Sequence, residues 1–302
     1  MKRLKSTWLF AGLACLCALS LVLVGCGGSG SSAQDATTAE VADEAAAEEG
    51  ATAEETVSTG EAATGYTTVT EGKLIVASDL DFPPLDSFEG GKAQGFDVEL
   101  SEAIAEKLGL ECEYLPPMDF DAIIPLIQQG GKADIGNSAF SITDERKEQI
   151  DFTDAYLDSN LGVAVKKDAG IPTGDEAALI EALDTADKTV AVQAGTTGEQ
   201  WAKENLSNAT IVPLASVTVC MTGVSTGKYD AFCADLPVIG HQCTVSFTDC
   251  EIALEIPTGE QYGIVVSKEN PGLTAAINEA LAELESDGTM AKLQEKWFGT
   301  TD

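Results

Sequence analysis

Positive charge is scarce in this sequence: 17 lysines and arginines stand against 50 aspartates and glutamates, a formal net charge of −33 at pH 7. So negative a chain is repelled by nucleic acid and by anionic membrane surfaces, and neither is expected to be its binding partner. Histidine is scarcer still, with His241 alone. The eight cysteines include no C-x2-C pair and no Cys/His spacing of a metal site, so no metal and no cofactor are expected. Without a second histidine or a nucleophile–histidine pair, the usual acid–base and covalent catalytic arrangements also lack their parts.

The start of the chain departs from this pattern. Lys2, Arg3 and Lys5 precede an apolar run from Trp8 to Val24, which ends in Leu23-Val24-Gly25-Cys26. A basic segment, an apolar segment and small residues before a cysteine describe an export signal over residues 1–25 followed by a lipidated Cys26, as in the lipobox of bacterial lipoproteins. The run is just short of the usual membrane-spanning length. Cleavage removes three positive charges and no negative ones, taking −33 to −36. Five cysteines besides Cys26 then remain, so they cannot all pair within the chain; Cys243 and Cys250 could close a short loop, or each could be a buried small residue. Residues 27–65 carry nine acidic side chains and neither a basic nor an aromatic one. Such a segment buries too little apolar surface to offset chain ordering, and it reads as a disordered acidic tether over 26–65.

Beyond it, hydrophobic periodicity changes between strand and helix in regular alternation. Strands are predicted at 73–77, 112–115 and 133–136, with helices at 95–108 and from Phe120 to about 130. A second set follows, with strands at 161–166, 189–193, 211–214 and 229–234 and helices at 175–183, 198–205 and 218–227. Residues 262–266 read as one more strand, and two further helices end at Lys296-Trp297-Phe298-Gly299. This order predicts an α/β fold built on mostly parallel sheets, with ligands meeting the loops at the strands' carboxyl ends.

Candidate binding residues gather at such ends. Asn137-Ser138-Ala139-Phe140-Ser141 leads to Thr143, a suitable N-cap for a helix starting at Asp144, and Arg146 falls in its first turn. Positive charge is disfavoured there by the helix dipole, and a guanidinium grips a carboxylate through two parallel hydrogen bonds, so the loop reads as a receptor for a small carboxylate. Gln193-Ala194-Gly195-Thr196-Thr197-Gly198 leads into another helix N-terminus suited to an anion, and Asp235 stands where a strand stops.

Several motifs together resemble one family, the extracellular solute-binding proteins of polar amino-acid ABC importers, known as family 3. Gly95-Phe96-Asp97-Val98-Glu99-Leu100, Ser141-Ile142-Thr143-Asp144-Glu145-Arg146-Lys147, Asp151-Phe152-Thr153 and Lys296-Trp297-Phe298-Gly299 carry the likeness, which spans residues 72–299. The resemblance implies a two-lobed periplasmic-binding-protein-like fold (type II) whose lobes, each a mostly parallel sheet flanked by helices, are joined by two extended crossovers. Lobe one would take 66–157 and 262–302, and lobe two 161–257.

By the same resemblance, Arg146 would hold a ligand α-carboxylate, helped by Ser141 and the Thr197 backbone, while Asp235 would pair with the α-ammonium. Phe82 and Phe120 would sandwich the ligand side chain and Asp79 would reach its polar end. Ser138, Ala139, Gln193 and Thr196 would complete the pocket, Ala139 offering only its backbone. Glutamine-binding members are expected to carry a lysine at the position of Gln193 and a histidine at that of Ala234, so glutamine is not favoured. A neutral or cationic polar L-amino acid fits the acidic residues better than a dicarboxylate. The implied protein is a monomeric, lipid-anchored carrier that delivers its ligand to an ABC permease and is no enzyme. The alternative is an enzyme on the same fold, such as a cyclohexadienyl-type dehydratase, which would need a proton-transfer group near the ligand.

Overall fold

The computed structural model describes residues 65–299; Cys26, the leader and the acidic segment before residue 65 lie outside them. The first part of the chain forms β1 (Lys73–Ala77), β2 (Asp81–Phe82), β3 (Asp86–Glu89), β4 (Lys92–Gln94), α1 (Phe96–Leu108), β5 (Glu111–Tyr114), α2 (Phe120–Gln129), β6 (Ile135–Gly136), α3 (Asp144–Gln149) and β7 (Asp151–Phe152). The middle forms β8 (Leu157–Lys166), α4 (Glu176–Leu183), β9 (Thr189–Gln193), α5 (Thr197–Asn205), β10 (Thr210–Leu214), α6 (Val217–Ser225), β11 (Ala231–Asp235), α7 (Leu236–Val245) and β12 (Cys250–Tyr262). The chain then closes with β13 (Val265–Val266), α8 (Pro271–Ser286) and α9 (Thr289–Phe298).

Two five-stranded sheets organise these elements, in the orders β5-β1-β6-β13-β7 and β10-β9-β11-β8-β12. We refer to each sheet with its helices as a lobe. Both sheets are mixed and not mostly parallel: β1 pairs parallel with β5 and β6, but β13 runs antiparallel to β6 and β7. Likewise β9 pairs parallel with β10 and β11, while β8 runs antiparallel to β11 and β12. The antiparallel half has a simple cause. Parallel neighbours arise where a helix carries the chain back across the sheet, whereas β8 and β12 pair directly as long strands that enter and leave the second lobe.

The strand expected at 262–266 is in fact two pieces, Tyr262 ending β12 and β13 beginning at Val265. A three-stranded antiparallel sheet, β2-β3-β4, stands between β1 and α1, where the sequence pattern predicts no strand. Helix starts follow local chemistry: the side chains of Thr143, Asp175, Thr196 and Ser216 each accept a hydrogen bond from the backbone N–H three residues on.

The recurring motifs find their purpose in packing. Gly95 has φ +137°, and a Cβ there would lie 2.2 Å from the Leu85 carbonyl oxygen, so only glycine lets β4 turn into α1 beside the Leu85 turn. Phe96 is fully buried, its ring centroid 5.2 Å from that of Phe298, while Lys296 pairs with Glu99 at 2.5 Å. The C-terminal motif therefore closes over the first turns of α1. All five cysteines of the described part are free thiols, and burial pushes the Cys112, Cys220 and Cys250 thiols up to about 12, which keeps them protonated and unreactive.

Candidate functional site

The site is built on a strained loop. Ala139 has φ +52°, a left-handed conformation costly for a residue with a Cβ, and its N–H donates to Asp97 Oδ2 at 2.7 Å. The Asn137 amide donates to the Asp97 carbonyl and to Ser101 Oγ, both at 3.0 Å, so α1 grips the loop from behind. At its other end the loop is joined to β12 and the residue after it: Ile142 N–H donates to the Gln261 carbonyl at 2.8 Å and Gly263 N–H to the Phe140 carbonyl at 3.0 Å. Held at both ends, the loop presents a fixed surface.

Arg146 reaches from α3 across the space between the lobes. Its Nη1 donates to the Ser141 carbonyl at 2.8 Å and its Nη2 to the Gly195 carbonyl, in the other lobe, at 3.0 Å. The guanidinium carbon lies 5.4 Å and 5.6 Å from the ring centroids of Phe120 and Phe140, which are themselves stacked at 4.5 Å. Burial lowers the Arg146 pKa, opposed by the negative charges of Asp235, Glu260 and Glu145. The helix-dipole reasoning for Arg146 is weaker than the sequence suggested. Because α3 has only six residues, its first and last turns overlap and Arg146 belongs to both.

Around this guanidinium, Phe82, Phe120, Ala139, Ser141, Gln193, Thr196, Thr197 and Asp235 line a small cavity of about 10 Å³. Nine of the eleven ligand-binding residues expected from the sequence, Arg146 included, thus face one small space. Asp79 and Ser138 stand one layer behind it. Asp79 is buried; its Oδ2 accepts from Gln193 Nε2 of the other lobe at 2.6 Å, and its Oδ1 accepts from the Asp81 N–H at 2.5 Å. The Ser138 hydroxyl donates to Asp86 Oδ2 at 2.7 Å. Asp235, buried at the end of β11, accepts from the Tyr262 hydroxyl at 2.7 Å. Burial, followed by the charge of Glu260, pushes its carboxyl up to about 7.

Three further residues brace the site, Asp81 and Glu260 across the lobes and Tyr262 within the second. Asp81 accepts from Ser216 Oγ at 2.5 Å and from Thr218 Oγ1 at 2.7 Å, so a carboxylate of the first lobe sits on the N-terminal turn of α6 in the second. Glu260 accepts from Ser141 Oγ and Thr197 Oγ1, and Tyr262 meets Asp235. Asp81 carried the right signal, an acidic residue beside Asp79 just past a strand end; Glu260 and Tyr262 carried none by themselves. His241 lies on α7 and lines a separate open groove with Pro237 and Trp297, away from the Arg146 cavity. The proton-transfer group that the catalytic alternative needed near the ligand is therefore not His241. Among the described residues, no group of three His, Cys, Asp or Glu is placed to hold a metal ion.

The first lobe also buries acid in quantity. Burial pushes Asp86 and Asp97 up to about 7, Asp86 being raised further by Asp97, and it holds Asp79 well above the ordinary carboxylate range. A carboxyl whose folded pKa is raised binds its proton more tightly in the native state, so its stabilising contribution is fully present below about pH 4 and is lost as pH rises through about 7. Self-repulsion of a chain at −33 acts in the same direction. The protein is therefore expected to melt at a higher temperature at pH 5 than at pH 8. Asp97→Asn, which keeps an oxygen for the Ala139 N–H and removes the charge, is expected to flatten that dependence. Equal melting temperatures across this range for the wild type would contradict the assignment.

Comparison with known proteins agrees with the arrangement. Over 235 residues the chain is 32% identical to the L-cystine-binding protein TcyJ of Escherichia coli K12, covering 76% of this chain and 83% of that one. It is 30% identical over 230 residues to the arginine-binding extracellular protein ArtP of Bacillus subtilis, covering 75% and 86%. Among solved structures, an ancestral arginine-binding protein bound to arginine superposes with a TM-score of 0.69 at 37% identity, covering 76% of this chain and 99% of that one. All three are named as amino-acid-binding proteins. Residues 74–300 match the bacterial extracellular solute-binding proteins, family 3, and the chain belongs to that family.

Proposed function

We propose that this protein captures a neutral or cationic polar L-amino acid between its lobes outside the cytoplasm and hands it to an ABC permease. One observation carries the reading: Arg146 of the first lobe, half-buried, and Asp235 of the second, buried, face the same small cavity. An amino acid has one carboxylate and one ammonium on neighbouring atoms, and such a pair of opposite charges suits it. Phe82 and Phe120 line the cavity where a side chain would lie, and Arg146 is its only cationic lining residue, so a second carboxylate would find no partner unless the ligand carries its own ammonium beside it, as L-cystine does. The relatives named for cystine and arginine fit this class. In this reading one lobe takes 66–157 with 262–302, the other takes 161–257, and β8 and β12 form the crossovers between them. Calorimetry with L-arginine, L-lysine, L-histidine, L-glutamine, L-cystine, L-glutamate and L-aspartate tests it. One of the first five is expected to bind far more tightly than either dicarboxylate; tightest binding of a dicarboxylate, or of none, would overturn the reading.

The carrier works as a monomer held at the membrane by lipid on Cys26. Acyl chains anchor by burying CH2 groups in the bilayer, at about 0.8 kcal/mol each, while the acidic segment 26–65 separates that anchor from the pocket. Cys26→Ser is accordingly expected to move the protein from the membrane to the soluble fraction with ligand affinity unchanged. A serine variant that still partitions with membranes and incorporates labelled palmitate would refute the lipobox assignment.

A further inference from the structure

Glu260 lies in β12 just beyond an irregularity: Ile256 pairs with Leu161 and Glu260 with Ser159, so four steps on one strand match two on the other. The extra residues bulge out, and the Glu260 side chain is brought to the rear of the cavity. There its Oε2 accepts from the Ser141 hydroxyl of the first lobe at 2.5 Å and from the Thr197 hydroxyl of the second at 2.9 Å. Ser141 and Thr197 line the cavity and Glu260 does not.

A hydroxyl has one proton to donate and two lone pairs to accept with. A carboxylate can only accept, so both protons are committed to Glu260, and towards the cavity Ser141 and Thr197 can offer lone pairs alone. Beside them stands Asp235, another acceptor, which accepts from Tyr262. Three side chains of the cavity therefore form a surface that attracts a donor and repels a carboxylate. This revises the part expected for Ser141, whose hydroxyl, thus oriented, cannot assist Arg146 in holding a carboxylate.

We infer that Glu260 is a positioning residue: it fixes the hydroxyls of Ser141 and Thr197 as acceptors and so completes, with Asp235, a seat for the ligand's ammonium. Because its two partners come from opposite lobes, that seat exists only when the lobes are together. The inference rests on the proposed ligand class, which it deepens by separating the ammonium side of the cavity from the carboxylate side at Arg146.

The test compares L-arginine with 5-guanidinopentanoate, the same acid without its α-ammonium, in calorimetry on the wild type, Glu260→Leu, Ser141→Ala and the double variant. Because the single atom Oε2 accepts from both hydroxyls, a glutamine could replace it with its amide oxygen, whereas a leucine offers no acceptor and frees both protons to turn towards the cavity. Glu260→Leu is expected to weaken L-arginine about tenfold or more and to change 5-guanidinopentanoate by less than about threefold. In the Ser141→Ala background the loss should shrink, because Glu260 acts partly through that hydroxyl. Equal losses for both acids, or no loss for either, would overturn the inference. A neutron structure of the deuterated wild type decides the matter even if L-arginine does not bind: deuterons of Ser141 and Thr197 directed at Glu260 support it, and deuterons directed into the cavity exclude it. Absence of binding by L-arginine and by the other amino acids would count against the ligand class alone.

Discussion

Arg146→Ala is expected to reduce amino-acid affinity by several hundred-fold or more while the protein stays folded. Leaving a buried carboxylate without its cation costs about 3–5 kcal/mol, and each 1.4 kcal/mol is about a factor of ten. The fold should survive because the arginine is itself a burden to it. Burial lowers its pKa, and its two hydrogen bonds go to backbone carbonyls at the mouth of the cavity, outside the sheets. Lysine should not rescue it, since an ammonium cannot make the two parallel bonds or lie flat over Phe120 and Phe140. Calorimetry alongside a thermal melt separates the outcomes: a loss below about tenfold with an unchanged melt would remove Arg146 from the ligand site.

Asp235→Asn should follow with a loss of about thirty-fold or more at pH 8, corresponding to roughly 2 kcal/mol or more for the charge-assisted bond to a desolvated ammonium. Its pH dependence is more telling than its size. With its carboxyl raised to about 7, Asp235 in the wild type must give up a proton to receive an ammonium at lower pH. Wild-type affinity is thus expected to fall as pH drops below about 7 and binding to release a proton, whereas the asparagine variant should bind weakly and without that slope. Calorimetry at pH 6 in two buffers of different ionisation enthalpy reads the proton directly. A wild type with no proton release, or a variant with the same slope, would move the titrating group elsewhere.

Much of the site was legible because its residues sit where the chain pattern changes. Arg146, Ser141, Thr197 and Asp235 each follow a strand with a clear apolar run, and each run ends in small or acidic residues that a buried strand would not contain. The elements that escaped have a common physical reason. In β12 the stretch Pro257-Thr258-Gly259-Glu260 has turn composition and no alternation, and its strand character comes from pairing with β8 far away in sequence. The strands β2, β3 and β4 have two to four residues each, too short for periodicity to register. Asp97 illustrates a third case: its place in the Gly95-Phe96-Asp97 motif was plain, but its grip on the strained Ala139 N–H depends on two segments 42 residues apart meeting in space. Glu260 is hidden for the same reason, since Ser141 lies 119 residues from it.

The central claim is that the two lobes hold one amino acid from both sides, so the ligand binds the closed arrangement in preference and shifts the population towards it. Contacts across the cleft already include Arg146 to Gly195, Asp79 to Gln193 and Asp81 to Ser216 and Thr218, and a ligand bridging Arg146 and Asp235 would add to them. Small-angle scattering of residues 65–302 with and without the preferred amino acid tests this most directly. The account predicts a smaller radius of gyration on saturation in the wild type and a smaller change in Asp235→Asn at matched saturation. Tight binding by the wild type with the same radius of gyration in ligand-free and ligand-saturated samples would contradict it.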